Sequence, residues 1–517
     1  MRVGIDVGGT NTDAVILDGD TVVAACKSPT TLDVSSGISA ALSIVMGDSG
    51  IQPDAIDAVM IGTTHFTNAV VERRRLLQVA AIRIGLPATR GVPPMTDWPA
   101  DLADTLGRHT FMLHGGHEFD GREIAPLDEA GLLDVAKEIR ERGIRSAALT
   151  SVFSPVTAVM ELRAAKILRE ECPGIALSLS HEIGRVGFLE RENAAVMNAC
   201  LSELSVKVVN SFRSALVEKG ITAPFFISQN DGTLMTPDHV ERYPVLTFAS
   251  GPTNSMRGAA RLAGLGDAMV VDIGGTTSDV GMLMQGFPRE SAVAVDIGGV
   301  RTNFRMPDVL AVGLGGGSLV RDEGTRIGPD SVGYEITKKA LVFGGDTLTT
   351  TDIIVAAGLA DIGDASRVAS LPKATINAAI DTMHRMVDEA VDRMKTSADK
   401  LPVILVGGGA VLISRDLPSA SEVIQPNNAG VANAIGAAIA QVGGEVDRIY
   451  AMEGRQRDDV LAEAKAEATA NAVAAGAIGN SVKIVDIEEV PLAYLPGSAT
   501  RIRVKAVGDL AFEEASA

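Results

Sequence analysis

Apolar residues along this chain fall into two periods. Short alternating or unbroken runs bounded by glycine pairs read as strands, and runs at spacings of three and four read as helices. The chain opens on an apolar strand into Asp6, turns at Gly8-Gly9 and returns on a second strand after Asp13. Thr21 to Lys27 predicts a third strand, and Ser35 to Met46 a helix with Ile38, Leu42 and Val45 on one face. Ala58 to Ile61 is a short buried strand, and Asn68 to Arg74 opens another helix. Residues 86–126, richer in Pro, Gly and Asp, predict an insertion or active-site loop. A helix over Leu132–Arg142, a strand over Ser146–Phe153, a helix over Ala158–Glu170 and a strand over Ile175–Ser180 imply parallel strands with crossover helices. Leu201, Leu204, Val208, Phe212 and Leu216 then predict one long helix from Asn193 to Glu218.

The second half repeats the plan. Phe225 to Ser228 reads as a strand, and Ser250 to Leu262 as a helix. A second glycine hairpin follows near Val270, then a helix from Thr375 to Met394 with Ile376, Ile380, Met383 and Val387 on its buried stripe. The buried strand Pro402–Val406 runs into Gly407-Gly408-Gly409. From Asp447 the composition shifts. A strand over Val446–Met452, a polar Ala/Glu helix over Asp458–Ala474 and strands over Val482–Ile487 and Thr500–Val507 predict a small α+β unit.

The two hairpins carry the chemistry. Asp6-Val7-Gly8-Gly9-Thr10-Asn11-Thr12-Asp13 and Asp272-Ile273-Gly274-Gly275-Thr276-Thr277-Ser278-Asp279 agree at both aspartates, both glycines and a threonine. Adjacent glycines permit positive φ and let amide N–H groups approach an anion. Thr10, Thr12, Thr276 and Thr277 add hydroxyl donors, so nucleotide binding is the expectation. Asp6 and Asp272 would repel phosphate, but fit as outer ligands of a Mg²⁺ ion that keeps much of its water. Asp13 and Asp279 either orient the attacking group or cap the returning strand. A third match by pattern, Ala294 to Gly299, continues into Val300-Arg301 without the hydroxyls and reads as a structural turn.

Composition narrows the partners. A formal net charge of −19 and a pI near 4.9 argue against a nucleic acid partner. Mean hydropathy is +0.21, yet no apolar run approaches the roughly 20 residues of a membrane helix. Three cysteines, Cys26, Cys172 and Cys200, have no zinc or iron–sulfur spacing and suit a reducing compartment. No signal peptide is evident, and a soluble, cytoplasmic protein is expected.

Two DxGGTxxD hairpins in repeated halves resemble the actin/hexokinase/heat-shock-chaperone superfamily of ATP-dependent enzymes. The fold class this implies is α/β, with two ribonuclease-H-like domains around a nucleotide cleft and a small C-terminal α+β appendage. The expected divisions are 1–190, with the insertion at 86–126, then 191–445 and 446–517. More local strings, including Ile61 to Arg73, Phe188 to Asn193, Ser228 to Gly232, Ser250 to Ser255, Gly313 to Ser318 and Gly328 to Tyr334, resemble the hydantoinase A/5-oxoprolinase family over roughly residues 1–440. That resemblance implies ATP and Mg²⁺ as cofactors, and ring opening of a cyclic amide such as a hydantoin, oxoproline or lactam. It also implies a second hydantoinase-type subunit, with a homo-oligomer left open. A small-molecule kinase of the same superfamily, or an ATP-driven activator of a partner enzyme, uses the same hairpins.

Gly8, Gly9, Thr10, Asn11 and Thr12 form the expected first phosphate loop, and Gly274, Gly275, Thr276 and Thr277 the second. Gly407, Gly408 and Gly409 are expected at the adenosine, with Asn433 in the following helix reaching the nucleotide. Gly315 and Gly316 either hold phosphate or make a close backbone crossing. His65, at a predicted strand end, is either a substrate or phosphate contact or a structural histidine. His114 and His117 have metal-like spacing, but Gly115-Gly116 between them indicates a turn. Glu190-Arg191-Glu192 reads as a charged lead into the long helix or as an inter-domain ion pair that senses closure, and His181, His239 and His384 as solvated or capping residues.

Overall fold

The computed structural model describes residues 1–9, 11–29, 34–291, 294–492 and 499–511. Three larger sheets organise them, two mixed and one parallel. The first has nine strands, and from one edge Thr21–Pro29, Asn11–Asp18, Arg2–Val7, Ala58–Thr63 and Phe225–Ser228 lie side by side in that order. In the second sheet, Val309–Val312, Ser278–Met284, Ala268–Ile273, Leu401–Val406 and Ala420–Ile424 repeat the same order. Each half is therefore an antiparallel meander of three strands continued by parallel strands, which is the ribonuclease-H-like arrangement expected.

Two helices cross between the lobes. Ser250–Ala263 follows the first sheet but buries Met256, Ala259 and Ala260 against Val270 and Ile404 of the second. Ala432–Ala438 follows the second sheet but buries Ala434, Ile435 and Ala438 against Val15 and Leu17 of the first. Their crossing has no room for side chains. A Cβ on Gly258 would sit 1.8 Å from the Ala432 carbonyl oxygen, and one on Gly436 would sit 1.8 Å from that of Asn254.

The sheets divide the chain differently from the expected boundaries. Residues 79–179 build a third sheet of four parallel strands (His109–His114, Val79–Leu86, Ser146–Ser151, Ala176–Leu179) with a core of its own under the helices Glu129–Arg142 and Val159–Glu171. The Pro/Gly-rich stretch 86–126 is one connection and one strand of that unit. The expected C-terminal appendage is not a separate sheet: Gln441–Tyr450, Thr500–Gly508 and Lys483–Pro491 extend the first sheet beyond Thr233–Met235. The helix Arg457–Ala474 lies on this extension through Val460, Ala464, Ala468 and Ala472.

The long helix is two helices, Phe188–Cys200 and Ser202–Glu218, broken at Leu201 (φ −97°, ψ −4°). The apolar stripe runs on through the break, so periodicity cannot register it. Two of its three opening charges are buried. Arg191 is fully buried, and Glu192 is buried in an ion pair with Arg83 of the third sheet, Arg83 Nε donating to Glu192 Oε1 at 2.8 Å. The Val295–Ile297 and Val300–Thr302 hairpin is the structural turn expected, with Gly298 at φ +60° and Gly299 at +88°.

Candidate functional site

The two glycine hairpins share one register. Asp6 pairs with Asp13 and Val7 with Thr12 in the first; Asp272 pairs with Asp279 and Ile273 with Ser278 in the second. Each loop closes alike, the Gly8 amide donating to the Asn11 carbonyl at 3.0 Å and the Gly274 amide to the Thr277 carbonyl at 2.9 Å. None of the four glycines adopts the positive φ expected of them. They keep the loop tips bare, leaving Gly9, Gly275, Thr276 and Thr277 exposed. Thr12 is wholly buried, so its placement does not offer a hydroxyl to a surface phosphate as expected. Thr10 lies outside the described residues.

A glycine on the neighbouring parallel strand, or just past its end, makes room for each leading aspartate. A Cβ on Gly62 would lie 2.3 Å from Asp6 Oδ1, and one on Gly407 would lie 2.2 Å from Asp272 Oδ1. Asp6 is held from both crossing helices. Asn433 Nδ2 donates to Asp6 Oδ2 at 2.9 Å, and the Asn254 amide stands beside Asp6 Oδ1 over Gly62. Asn433 is thus committed to Asp6 rather than free for the nucleotide. Asn254, fully buried, carries both side-chain polar atoms without a hydrogen-bond partner, and so do Asp6 Oδ1 and Asp13 Oδ1. Sequence reading placed Asn254 in a family-like string but gave it no role.

The electrostatics follow from this crowding. Burial, then the neighbouring Asp13, raises the Asp6 carboxyl to about 7, with a further contribution from Asp272 across the cleft. Burial and then Asp272 raise Asp279 to about 7. Burial also lifts Asp272, opposed by a hydrogen bond from Ser255 and by the Lys27 charge. Lys27 is the counter-charge sequence reading missed: its Nζ donates to Asp13 Oδ2 at 2.8 Å. Asp13, expected either to orient the attacking group or to cap its strand, is buried in that ion pair.

The remaining expected contacts divide. Gly315 and Gly316 buttress the second hairpin: the Gly316 amide donates to the Gly274 carbonyl at 3.0 Å, and the Gly315 amide to Ser318 Oγ at 2.8 Å. Both N–H groups have acceptors within the fold, and Gly315 packs closely against the Gly275 and Thr276 backbone. Gly407 and Gly409 also donate inward, to the Ala429 and Ile273 carbonyls, whereas Gly408 is exposed at the end of Leu401–Val406. His65 opens the helix His65–Val71 beside the first hairpin, its Nδ1 2.7 Å from Thr63 Oγ1. Burial, then Arg75, lowers its pKa to about 4, so it is neutral at pH 7. Gly115 and Gly116 have φ of +140° and +95°, the turn expected of that spacing. Among the described residues no three His, Cys, Asp or Glu side chains converge as direct metal ligands. No helix among them is long and apolar enough to cross a membrane.

Equivalent hairpins facing each other from two like-ordered sheets, with paired helices crossing between, define an actin-like ATPase fold. Residues 2–172 match the hydantoinase/oxoprolinase N-terminal region and residues 191–361 match hydantoinase/oxoprolinase, and the chain belongs to this family. It is 27% identical over 420 residues to the caprolactamase subunit alpha of Pseudomonas jessenii, covering 75% of this chain and 58% of that one. To the acetophenone carboxylase gamma subunit of Aromatoleum aromaticum it is 28% identical over 403 residues, covering 69% and 53%. The chain thus spans little more than half the length of these curated relatives. The crystal structure of the ATP-dependent caprolactamase from Pseudomonas jessenii superposes with a TM-score of 0.80 at 19% identity, over 99% of this chain and 88% of that one, which shows a shared fold.

Proposed function

We propose that this chain is the ATP-using subunit of a cyclic amide hydrolase, binding MgATP between the two hairpins and phosphorylating the amide carbonyl. The observation that carries the reading is the four-aspartate cleft, where burial first and neighbouring aspartates second drive Asp6 and Asp279 to about 7. A divalent cation is the ligand that relieves such crowding, and partnerless buried oxygens on Asp6 and Asp13 leave donor capacity for its water shell. Asp6 and Asp272 would hold Mg²⁺ through water, and bound Mg²⁺ would neutralise charge on the phosphates. The exposed loop tips at Gly9, Gly275, Thr276 and Thr277 offer N–H and hydroxyl donors where charge develops on the transferring phosphoryl group. Exposed Gly408, just past its strand, is the residue we assign to the adenosine.

Phosphorylation explains the need for ATP: an amide carbonyl carbon is a poor electrophile, and a phosphorylated oxygen makes it one that water attacks. The caprolactamase relative is a subunit, and on that likeness we infer a second hydantoinase-type subunit for this chain. A second reading, ATP-driven carboxylation of a ketone, draws on the equally similar acetophenone carboxylase subunit. The test is ATP hydrolysis by the full chain, alone and with the product of the adjacent gene, on hydantoin, 5-oxoproline, ε-caprolactam and acetophenone with bicarbonate. Ring-opened amino acid supports the hydrolase, labelled keto acid supports the carboxylase, a stable phosphorylated product indicates a kinase, and substrate-independent turnover indicates an activator.

A further inference from the structure

Phosphoryl transfer gathers negative charge, and nucleotide sites commonly add a lysine or arginine to the charge of Mg²⁺. Neither hairpin supplies one. Asp6 to Asp13 and Asp272 to Asp279 contain no Lys or Arg. The sheet brings one in from outside. Asp6 lies level with Asp13, and Asp13 with Lys27, on three adjacent antiparallel strands. Residues opposite each other across such strands share a face, so the three side chains stand in one row.

That row lies on the face turned to the second lobe. Asn433, on the helix Ala432–Ala438, donates to Asp6. Val15, two residues past Asp13, packs with Ala434 and Ile435 of the same helix. The turn Ala429–Val431, which leads into that helix, packs against Thr21–Pro29, the strand of Lys27. Along the strands, Lys27 stands about 7 Å from the level of Gly8, where the first loop begins. Its flexible four-carbon stem lets the ammonium turn toward that loop.

The pairing of Lys27 differs from that of a structural ion pair. Its Nζ donates to Asp13 Oδ2 at 2.8 Å, yet the lysine side chain is 38% exposed while Asp13 is buried. Arg83 and Glu192, by contrast, are both buried. The Lys27 ammonium thus has a buried anion on one side and water on the other. Its charge also reaches Asp272 of the second hairpin, opposing the rise that burial causes there. Asp13 Oδ1 has no hydrogen-bond partner, so the carboxylate can accept further donors. With the adenosine assigned to Gly408 of the second lobe, the phosphate chain runs toward the first hairpin. Its terminal phosphate then ends on the side of Lys27.

We propose that Lys27 is the γ-phosphate-binding residue of the nucleotide site, pairing with Asp13 before nucleotide binds and turning its ammonium to the terminal phosphate of MgATP. The inference rests on the nucleotide cleft described under Proposed function and adds the residue that tells ATP from ADP. The Asp13 carboxylate that Lys27 leaves accepts from water held by Mg²⁺, whose charge replaces that of the lysine.

The test is calorimetric titration of MgATP and of MgADP into the full chain as wild type, Lys27→Met, and Lys27→Met combined with Asp13→Asn. The combined variant strands no carboxylate and guards against misfolding of the single one. In both variants the ratio of MgATP to MgADP affinity is expected to fall about tenfold or more, the scale of one charge-assisted hydrogen bond. A merely structural lysine would lower the melting temperature and leave that ratio alone. A ratio within about twofold of the wild type in both variants, or equal losses for the two nucleotides, overturns the inference. Should neither variant fold, acylation of Lys27 in the wild type reads the same contact by mass spectrometry. MgATP must slow it and MgADP must not; equal rates overturn the inference. A wild type that binds no MgATP overturns the nucleotide reading itself.

Discussion

The two hairpins have the same loop length, the same Asp-to-Asp register and the same glycine relief beneath the leading aspartate, yet different counter-charges. On the strand beyond the first, Lys27 stands opposite Asp13; on the strand beyond the second, Ala311 stands opposite Asp279. Backbone geometry was duplicated and charge was not. The first hairpin arrives partly neutralised, and the second has burial and Asp272 pressing its carboxyl to about 7. In this account the second hairpin depends more on a bound cation, and the lysine of the first also acts across the cleft on Asp272.

The largest effect that would break this comparison is in turnover. Asp272→Asn should lower MgATP hydrolysis by about 10²–10³-fold, the scale of losing one preorganised charge-stabilising group, as measured by phosphate release. Next comes stability against pH. A carboxyl raised from 3.8 to about 7 makes the folded form hold a proton the unfolded form has lost, so stability falls as pH rises from about 4 to about 7. Asp6→Asn should therefore stabilise the nucleotide-free protein by about 2–4 kcal/mol at pH 8 and by nothing near pH 4. Thermal melts at the two pH values check it, and an equal shift at both would contradict it.

The counter-charges themselves give smaller effects. Lys27→Met strands Asp13 without its ion pair. Because Lys27 is 38% exposed, the loss should be about 2 kcal/mol, below that of a fully buried pair. Ala311→Lys, at an exposed position opposite Asp279, should gain up to about 1 kcal/mol at pH 8. Denaturant midpoints measure both, and opposite signs are required. Smallest of all is the third hairpin. Asp296 serves only its own turn, accepting from the Gly299 amide at 2.8 Å. Asp296→Asn should leave MgATP turnover unchanged and stability within about 0.5 kcal/mol.

The hairpins, their pairing and the long helix Lys373–Met394 were legible because each is local: a turn signature, a strand on either side, a stripe of period 3.6. The counter-charge was not. Counting back from the Gly19-Asp20 turn pairs Asp13 with Cys26, but a bulge after Ile16 shifts the register so that Lys27 faces Asp13. The third sheet was hidden because strands buried on both faces, such as Ser146–Ser151, carry no alternation to fix their partners. The C-terminal strands read correctly as strands, but nothing local says that Gln441–Tyr450 joins Thr233–Met235. Asn254 and Asn433 meet Asp6 only because two helices exchange lobes, a contact made by topology rather than by spacing. His181 read as a capping residue because its carboxylate partner, Glu161, 2.6 Å from Nδ1, lies on the preceding helix.

The most direct test is calorimetric titration of MgATP into the wild type, Asp6→Asn and Asp272→Asn. The account predicts saturable, Mg²⁺-dependent binding to one site in the wild type, weakened at least about tenfold in each variant, since a hydrogen-bonded or metal-linked charge is worth about 1.5–3 kcal/mol. A wild type that does not bind, or variants that bind as tightly as it does, would contradict it.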